Sequence, residues 1–257
     1  MEMIKQYLIT PAAGKRLIAK SILYKEQIKQ ALKTGTVVII AGTTNAYVAE
    51  ETLDYIGQRD YSRSGFVRGI TLPPSYKLTE AGRLPDEGGF AGDVVIINGK
   101  WEKGLDIFAV ADSLKKGDVI IKGANAINML SKQAGILIGH PKGGTIMAAL
   151  RAVAGRRVSL YLPVGVEKRI PGDITEIANK LNLENAAGLR LLPVYGEIIT
   201  ELEAINIISG ADAELVSAGG VCGAEGSCWI AVSGSERQIE KAKSVIEPLL
   251  NEPAYKL

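Results

Sequence analysis

Short, uninterrupted β-branched runs that close on glycine or a small polar residue, most of them followed by a helical pattern, constrain this chain more than any other feature. Residues 36–41 read TVVIIA and end at Gly42, residues 93–98 read DVVIIN, and residues 118–122 read DVIIK and end at Gly123. Residues 135–139 read GILIG, and a last run covers 157–163. A strand that is apolar at every position is covered on both faces, and such strands alternating with helices of ~10 residues are the βαβ units of a parallel sheet. The expected fold is therefore α/β, an open, mostly parallel, Rossmann-like sheet with helices on both faces. Ligands of such sheets bind beyond the carboxyl ends of the strands. Those ends here are Gly42, Asn98, Lys122 and Gly139.

The intervening patterns supply the helices. Thr10-Pro11 reads as an N-cap with proline at the first helical position, and the apolar spacing of Leu17, Ile18, Ile22, Leu23, Ile28 and Leu32 predicts one helix over 11–33, closed by Gly35. Further helices are expected over 46–56 and 146–154. Residues 57–92 are rich in Gly, Pro and Arg and read as loop around one strand at 66–72, either a flap over a ligand or a solvated excursion. From about residue 188 the pattern becomes strand (189–195), helix (196–208), strand (213–218), hairpin, strand (227–232) and helix (235–250). Gly210 suits a helix C-cap, and Ser235 with Gln238 a capping box. This βαββα order predicts a small ferredoxin-like α+β domain over 188–257, behind an α/β ligand-binding domain over 1–187.

Charge and rare residues narrow the partners. With 30 Lys and Arg against 28 Asp and Glu the net charge is +2, too small to expect nucleic acid. The cluster of Arg59, Arg63 and Arg68 with Tyr61 and Tyr76 then reads as a solvated face. The first residues lack an apolar run before a small-residue cleavage site, and no run approaches the ~20 apolar residues of a membrane span. A cytoplasmic protein without a membrane partner is expected. One histidine and two cysteines are too few for a Cys/His zinc site, so neither a metal nor another cofactor is expected. Cys222 and Cys228 flank a hairpin tip and read as free thiols, with a cross-strand disulfide as the alternative.

Four segments carry candidate chemistry. Gly42, Thr43, Thr44 and Asn45 open a helix whose free N–H groups attract anions; the alternative is a plain strand-to-helix turn with threonine as cap. Lys142, Gly143, Gly144 and Thr145 add a cation to the same arrangement and form the preferred anion site, against a glycine turn with a solvated lysine. His140 stands beside that loop, where an imidazole can exchange protons near neutral pH or simply pack. Lys122, Gly123 and Asn125 place a lysine and an amide at a strand end. That lysine either meets a substrate anion, acts as a base when desolvated, or pairs with Asp93 or Asp118, and Asn125 and Asn128 can equally satisfy loop backbone.

Residues 31–46 and 118–128 resemble two segments of the ribose-5-phosphate isomerases. The first, ALKTGTVVIIAGTTNA, is similar to a helix, lysine-glycine turn and strand ending in that family's Gly-Thr-Gly-Ser-Thr phosphate loop. The second, DVIIKGANAIN, falls where the family writes Asp-Leu-Ala-Ile-Asp-Gly-Ala-Asp-Glu-Val-Asp. The wider superfamily includes glucosamine-6-phosphate deaminases and coenzyme A transferases. Lys122 and Asn125 replace two family aspartates, and the following Lys-Gly-Gly-Gly run with its catalytic Glu is missing. A transferase-like reading would place a nucleophilic carboxylate at Glu87 or Glu225. The resemblance implies a small anionic ligand, phosphorylated or of coenzyme A type, with phosphate on Thr43, Thr44 or residues 142–145. If the protein is an enzyme, sugar-phosphate isomerisation or a related proton transfer falls to Lys122 and His140. The alternative is a noncatalytic metabolite-sensing or self-associating regulatory protein, and a homo-oligomer is expected in either case.

Overall fold

The structure, a computed structural model, describes residues 2–69, 71–77 and 92–256. Strand β1 (Met3–Ile9) leads into α1 (Pro11–Ile22), where the Thr10 hydroxyl accepts the Ala13 N–H at 3.2 Å. The apolar spacing continues beyond Ile22, yet the chain breaks there and restarts as α2 (Glu26–Thr34), so the helix expected over 11–33 is two. Ser21 bonds back to the Ile18 carbonyl at 2.7 Å, and the N–H groups of Tyr24 and Lys25 close tight turns onto Ser21 and Ile22. That tightening ends a helix even where hydrophobic spacing would carry it on.

The following elements are β2 (Thr36–Ile39), α3 (Thr43–Tyr55), β3 (Val94–Ile97), β4 (Lys100–Trp101), α4 (Ile107–Val110) and β5 (Val119–Ile121). Next come β6 (Ala126–Asn128), β7 (Gln133–Ile138), α5 (Gly144–Arg156), β8 (Ser159–Pro163) and, after a 3-10 turn at Val166–Lys168, α6 (Ile174–Leu181). The chain ends with β9 (Arg190–Val194), β10 (Glu197–Ile199), α7 (Glu201–Ser209), β11 (Asp212–Ala218), β12 (Cys228–Gly234) and α8 (Glu236–Ile246).

These strands form a mixed main sheet and two antiparallel ones. The six-stranded sheet has the order β10-β8-β5-β2-β3-β4; its first four strands are parallel, and β3 and β4 antiparallel. The side chains of β2 alternate between two cores. Val37 and Ile39 pack with Leu17, Ile18 and Leu53 of α1 and α3, while Val38, and Ile40 just beyond the strand, pack with Ile107 of α4 and Ala149 of α5. The fold is thus α/β with a mostly parallel sheet buried on both faces. Among the described residues no helix is long and apolar enough to cross a membrane.

Several expectations are corrected. The run at 135–139 belongs to β7, which pairs antiparallel with β6 and β9 outside the main sheet. Only four residues separate β6 from β7, too few for the crossover that parallel strands need. The Asn128 carboxamide oxygen ties this turn by accepting the Leu130 and Ser131 N–H groups, each at 3.0 Å. Strand β3 runs antiparallel to β2 because the loop after α3 crosses the carboxyl end of β2, where the Phe66 carbonyl accepts the Gly42 N–H at 3.2 Å.

Residues 66–69, 71 and 72 form no strand; Phe66 and Val67 are buried anchors of tight turns. The helix expected over 196–208 begins only at Glu201, because residues 197–199 pair with β8 and Thr200 then forms a capping box with Glu203. The last helix stops at Ile246 and passes directly into the 3-10 turn Glu247–Leu249, which contains Pro248.

Past residue 188 the chain serves all three sheets. Strand β9 joins β7, β10 joins β8, and β12 pairs with both β11 and β1. Gly210 caps α7 at φ 76°, Ser235 and Gln238 form the expected capping box, and Cys222 and Cys228 are free thiols.

Candidate functional site

A parallel sheet brings the carboxyl ends of its strands to one edge. Here that edge holds a cavity of about 280 Å³. Beyond β2 it is lined by Gly42, Thr43, Thr44 and Asn45, and beyond β5 by Lys122, Gly123, Ala124 and Asn125. Lys168 follows β8, Lys15 comes from α1, and Arg68, Gly69 and Thr71 come from the loop after α3.

The strand ends are held open by side chains. The Asn45 amide donates to the carbonyls of Ile40 at 2.6 Å and Ile121 at 3.0 Å, bridging the ends of β2 and β5. The Asp93 carboxylate accepts the N–H groups of Ala41 and Ile107, each at 2.9 Å, and Asp118 accepts those of Thr36 and Lys115, each at 2.8 Å. The aspartates that open two strand patterns therefore satisfy backbone rather than bind Lys122. Among the described residues, a Cβ on Gly42 would meet nothing within 4 Å, and one on Gly123 only the Pro163 carbonyl at 3.8 Å. Both glycines thus present bare backbone to open space. The Thr44 hydroxyl and the Asn45 carboxamide oxygen are buried with no hydrogen-bond partner among the described residues.

Electrostatics favour an anion. Two of the four cations are matched, Arg68 by Asp93 at 3.4 Å and Lys15 by Glu167 at 3.7 Å. Lys122 and Lys168 form no ion pair with a described residue; the Lys168 ammonium donates to the Ala124 carbonyl at 3.1 Å. Burial of the Lys122 ammonium pushes its pKa down to about 8, against the attraction of Asp93 and with the repulsion of Arg68 and Lys168. Burial also depresses Lys168, with Glu167 opposing. The N-terminus of the 13-residue α3 adds free N–H groups and the positive end of its dipole.

The sequence-derived candidates divide. Gly42, Thr43, Thr44, Asn45, Lys122, Gly123 and Asn125 meet at this cavity, although Asn125 is largely occupied by the Leu137 N–H at 3.0 Å and the Gly69 carbonyl at 3.4 Å. His140, Lys142, Gly143, Gly144 and Thr145 do not line it. They follow β7, in the antiparallel sheet, where Lys142 is exposed and the His140 Nδ1 accepts the Lys142 N–H at 3.1 Å. Glu225 accepts the Gly223 N–H at 2.9 Å in the β11–β12 hairpin, and Glu87 lies outside the described residues.

Lys15, Arg68 and Lys168 were not visible as site residues in the sequence. Arg68 is separated by the fold from the rest of its cluster. Tyr61 packs on Phe66, Arg63 binds Glu252 at 2.9 Å, and Arg59 and Tyr76 are exposed. Lys168 follows the end of β8 by only five residues, and that short distance is its one signal in the sequence. No protein-family model, curated protein or solved structure matches the chain.

Proposed function

We propose that the protein binds a small phosphorylated metabolite in this cavity and that Lys122 moves a proton to or from it. The observation that carries this reading is the convergence of four cationic side chains on the N-terminus of α3, two of them without an ion-pair partner among the described residues. Backbone N–H groups at a helix start, together with lysine and arginine, suit the several acceptor oxygens of a phosphate group. A cavity of about 280 Å³ suits a metabolite of a few carbons rather than a dinucleotide. An amine whose pKa lies near the working pH exchanges its proton at least cost, which favours Lys122 over the other lysines for transfer.

The resemblance of residues 31–46 and 118–128 to phosphosugar isomerases supports the same ligand class and an isomerisation or related proton transfer. In this reading the main sheet is the Rossmann-like layer of that superfamily, and β1, β11, β12, α7 and α8 form a ferredoxin-like appendage.

The test is thermal stabilisation by a panel of phosphorylated metabolites, then exchange of solvent deuterium into each ligand that binds, followed by NMR. At a concentration of ~100 times Kd a ligand should add about 2.7 kcal/mol to stability. Exchange should be lost in Lys122→Ala. No stabilisation by any phosphorylated compound would end the reading, and binding without exchange would end its proton-transfer half.

A further inference from the structure

The fourth parallel strand, β10, also delivers a residue to the ligand edge. Glu201 follows it as the first residue of α7 and is 3% exposed. One carboxylate oxygen accepts the Val166 N–H at 2.8 Å, and the other lies so close to Gly14 that a Cβ there would collide with it. Glu167 is next to Val166, and Lys15 is next to Gly14. Lys15 sits 3.7 Å from Glu167, its charge also acts on Glu201, and it lines the cavity, so both carboxylates lie in the field of one lysine.

Among the other charged or titratable groups nearby, Lys168 is attracted by both Glu167 and Glu201 and repelled by Lys15, although its hydrogen bond goes to neither carboxylate. Lys168 donates to the Ala124 carbonyl, and Arg169 to the Val166 carbonyl at 3.0 Å and to the Cys228 sulfur at 3.9 Å. Burial pushes the Cys228 thiol up to about 11, so it stays neutral.

We propose that Lys15, Glu167 and Glu201 form a proton relay coupled to the cavity: a bound dianion draws Lys15 away from Glu167, and the carboxyl pair takes up a proton from solvent. This rests on the anion-site reading and deepens it, because it selects a doubly charged ligand such as a phosphate monoester over a simple carboxylate. Two buried carboxylates from which the ion-paired lysine withdraws, leaving Lys168 at longer range, are stabilised by taking up a proton between them. The protein is already poised for this, since burial, and then the charge of Glu167, raise Glu201 to about 7. The proton belongs to the pair, with Glu201 as its buried member. Glu201 does not line the cavity and acts through Lys15, as a positioning residue.

Sulfate is the appropriate probe, because it is a dianion that carries no proton of its own near neutrality. Calorimetric titration just above neutral pH, in two buffers of different ionisation enthalpy, counts the protons taken up on binding. The wild type should take up a substantial fraction of a proton, and Glu201→Gln should still bind sulfate while losing most of the share that the pair contributes. If Glu201→Gln does not fold, Glu167→Gln should show the same loss. Lys15→Met should bind more weakly and show it as well. An equal proton count in wild type and the folded glutamine variant overturns the relay and leaves the anion site standing. Failure of the wild type to bind sulfate at any pH overturns the anion site itself.

Discussion

Two junctions in this molecule have the same local design and opposite surroundings. Gly42 and Gly143 each precede a 13-residue helix, and each helix starts with a hydroxyl residue in its first turns. The second junction adds Lys142 and another glycine, so on local chemistry it is the better anion site. It nonetheless follows a strand of an antiparallel sheet, where neighbouring strands end on opposite sides and bring no second loop to the same place. The first follows a strand flanked by the parallel β5, with β8 beyond it, and so collects Lys122 and Lys168 as well as its own helix N-terminus. A binding site is a property of strand direction before it is a property of a loop.

The sharpest way to break this comparison is to remove one lysine from each junction. A charged hydrogen bond is worth ~1.5–3 kcal/mol, so Lys122→Ala should weaken sulfate or phosphate-ester binding by roughly ten- to a hundredfold, whereas Lys142→Ala should leave it within about twofold. Titration calorimetry decides, and the reverse ranking would return the site to residues 142–145. The wild type should also show a pH signature. Lys122 is charged below its depressed pKa of about 8 and neutral above it, so its contribution to anion affinity is complete on the acid side and lost as pH rises through that value. Asp93 opposes the depression, and Arg68 and Lys168 reinforce it. In Lys122→Ala the part of the fall that Lys122 contributes should disappear, leaving only the dependence that the Glu167–Glu201 pair supplies.

Why the sequence showed one half of the site and not the other follows from the range of each interaction. Residues 42–45 and 122–125 could be read because each is local to a strand end, and a buried strand marks itself by its own β-branched run. The same runs do not declare direction. Residues 93–98 and 135–139 look like parallel strands, yet they enter antiparallel, because one follows a loop laid across the carboxyl end of β2 and the other a four-residue turn. Lys15 and Arg68 lay beyond reach for a related reason. One sits on a helix face and the other in a loop of mixed composition, and only tertiary packing turns them toward the cavity. Glu167 and Glu201 are 34 positions apart and meet because β8 and β10 are neighbours in register.

The two glycines permit an exchange of effects that sharpens the contrast. Gly143 sits at φ 76°, and a Cβ there would collide with Met147. Gly143→Ala should therefore destabilise the fold by about 1–2 kcal/mol from the left-handed backbone alone, read as a lower midpoint in urea, with anion affinity unchanged. Gly42 has extended backbone and open space before it. Gly42→Ala should leave stability within about 0.5 kcal/mol but lower anion affinity several-fold, since the new methyl group enters the cavity. Loss of affinity in Gly143→Ala without loss of stability would contradict the assignment.

The smallest effect is expected at the residue that stands out most in the composition. His140 is the sole histidine, and such a residue invites a role in proton transfer. Its Nδ1 accepts the Lys142 N–H at 3.1 Å, and its carbonyl accepts the Gly143 N–H at 2.9 Å and the Arg190 guanidinium at 3.2 Å. Two of these three contacts use backbone that any residue supplies. His140→Ala removes only the side-chain bond, in a partly exposed turn, and should cost about 0.5–1 kcal/mol with no change in anion affinity or in deuterium exchange into a bound ligand. A large loss of exchange with binding intact would move proton transfer from Lys122 to the imidazole. The ligand would then have to reach from the parallel edge to the end of β7, a span that the cavity as lined does not cover.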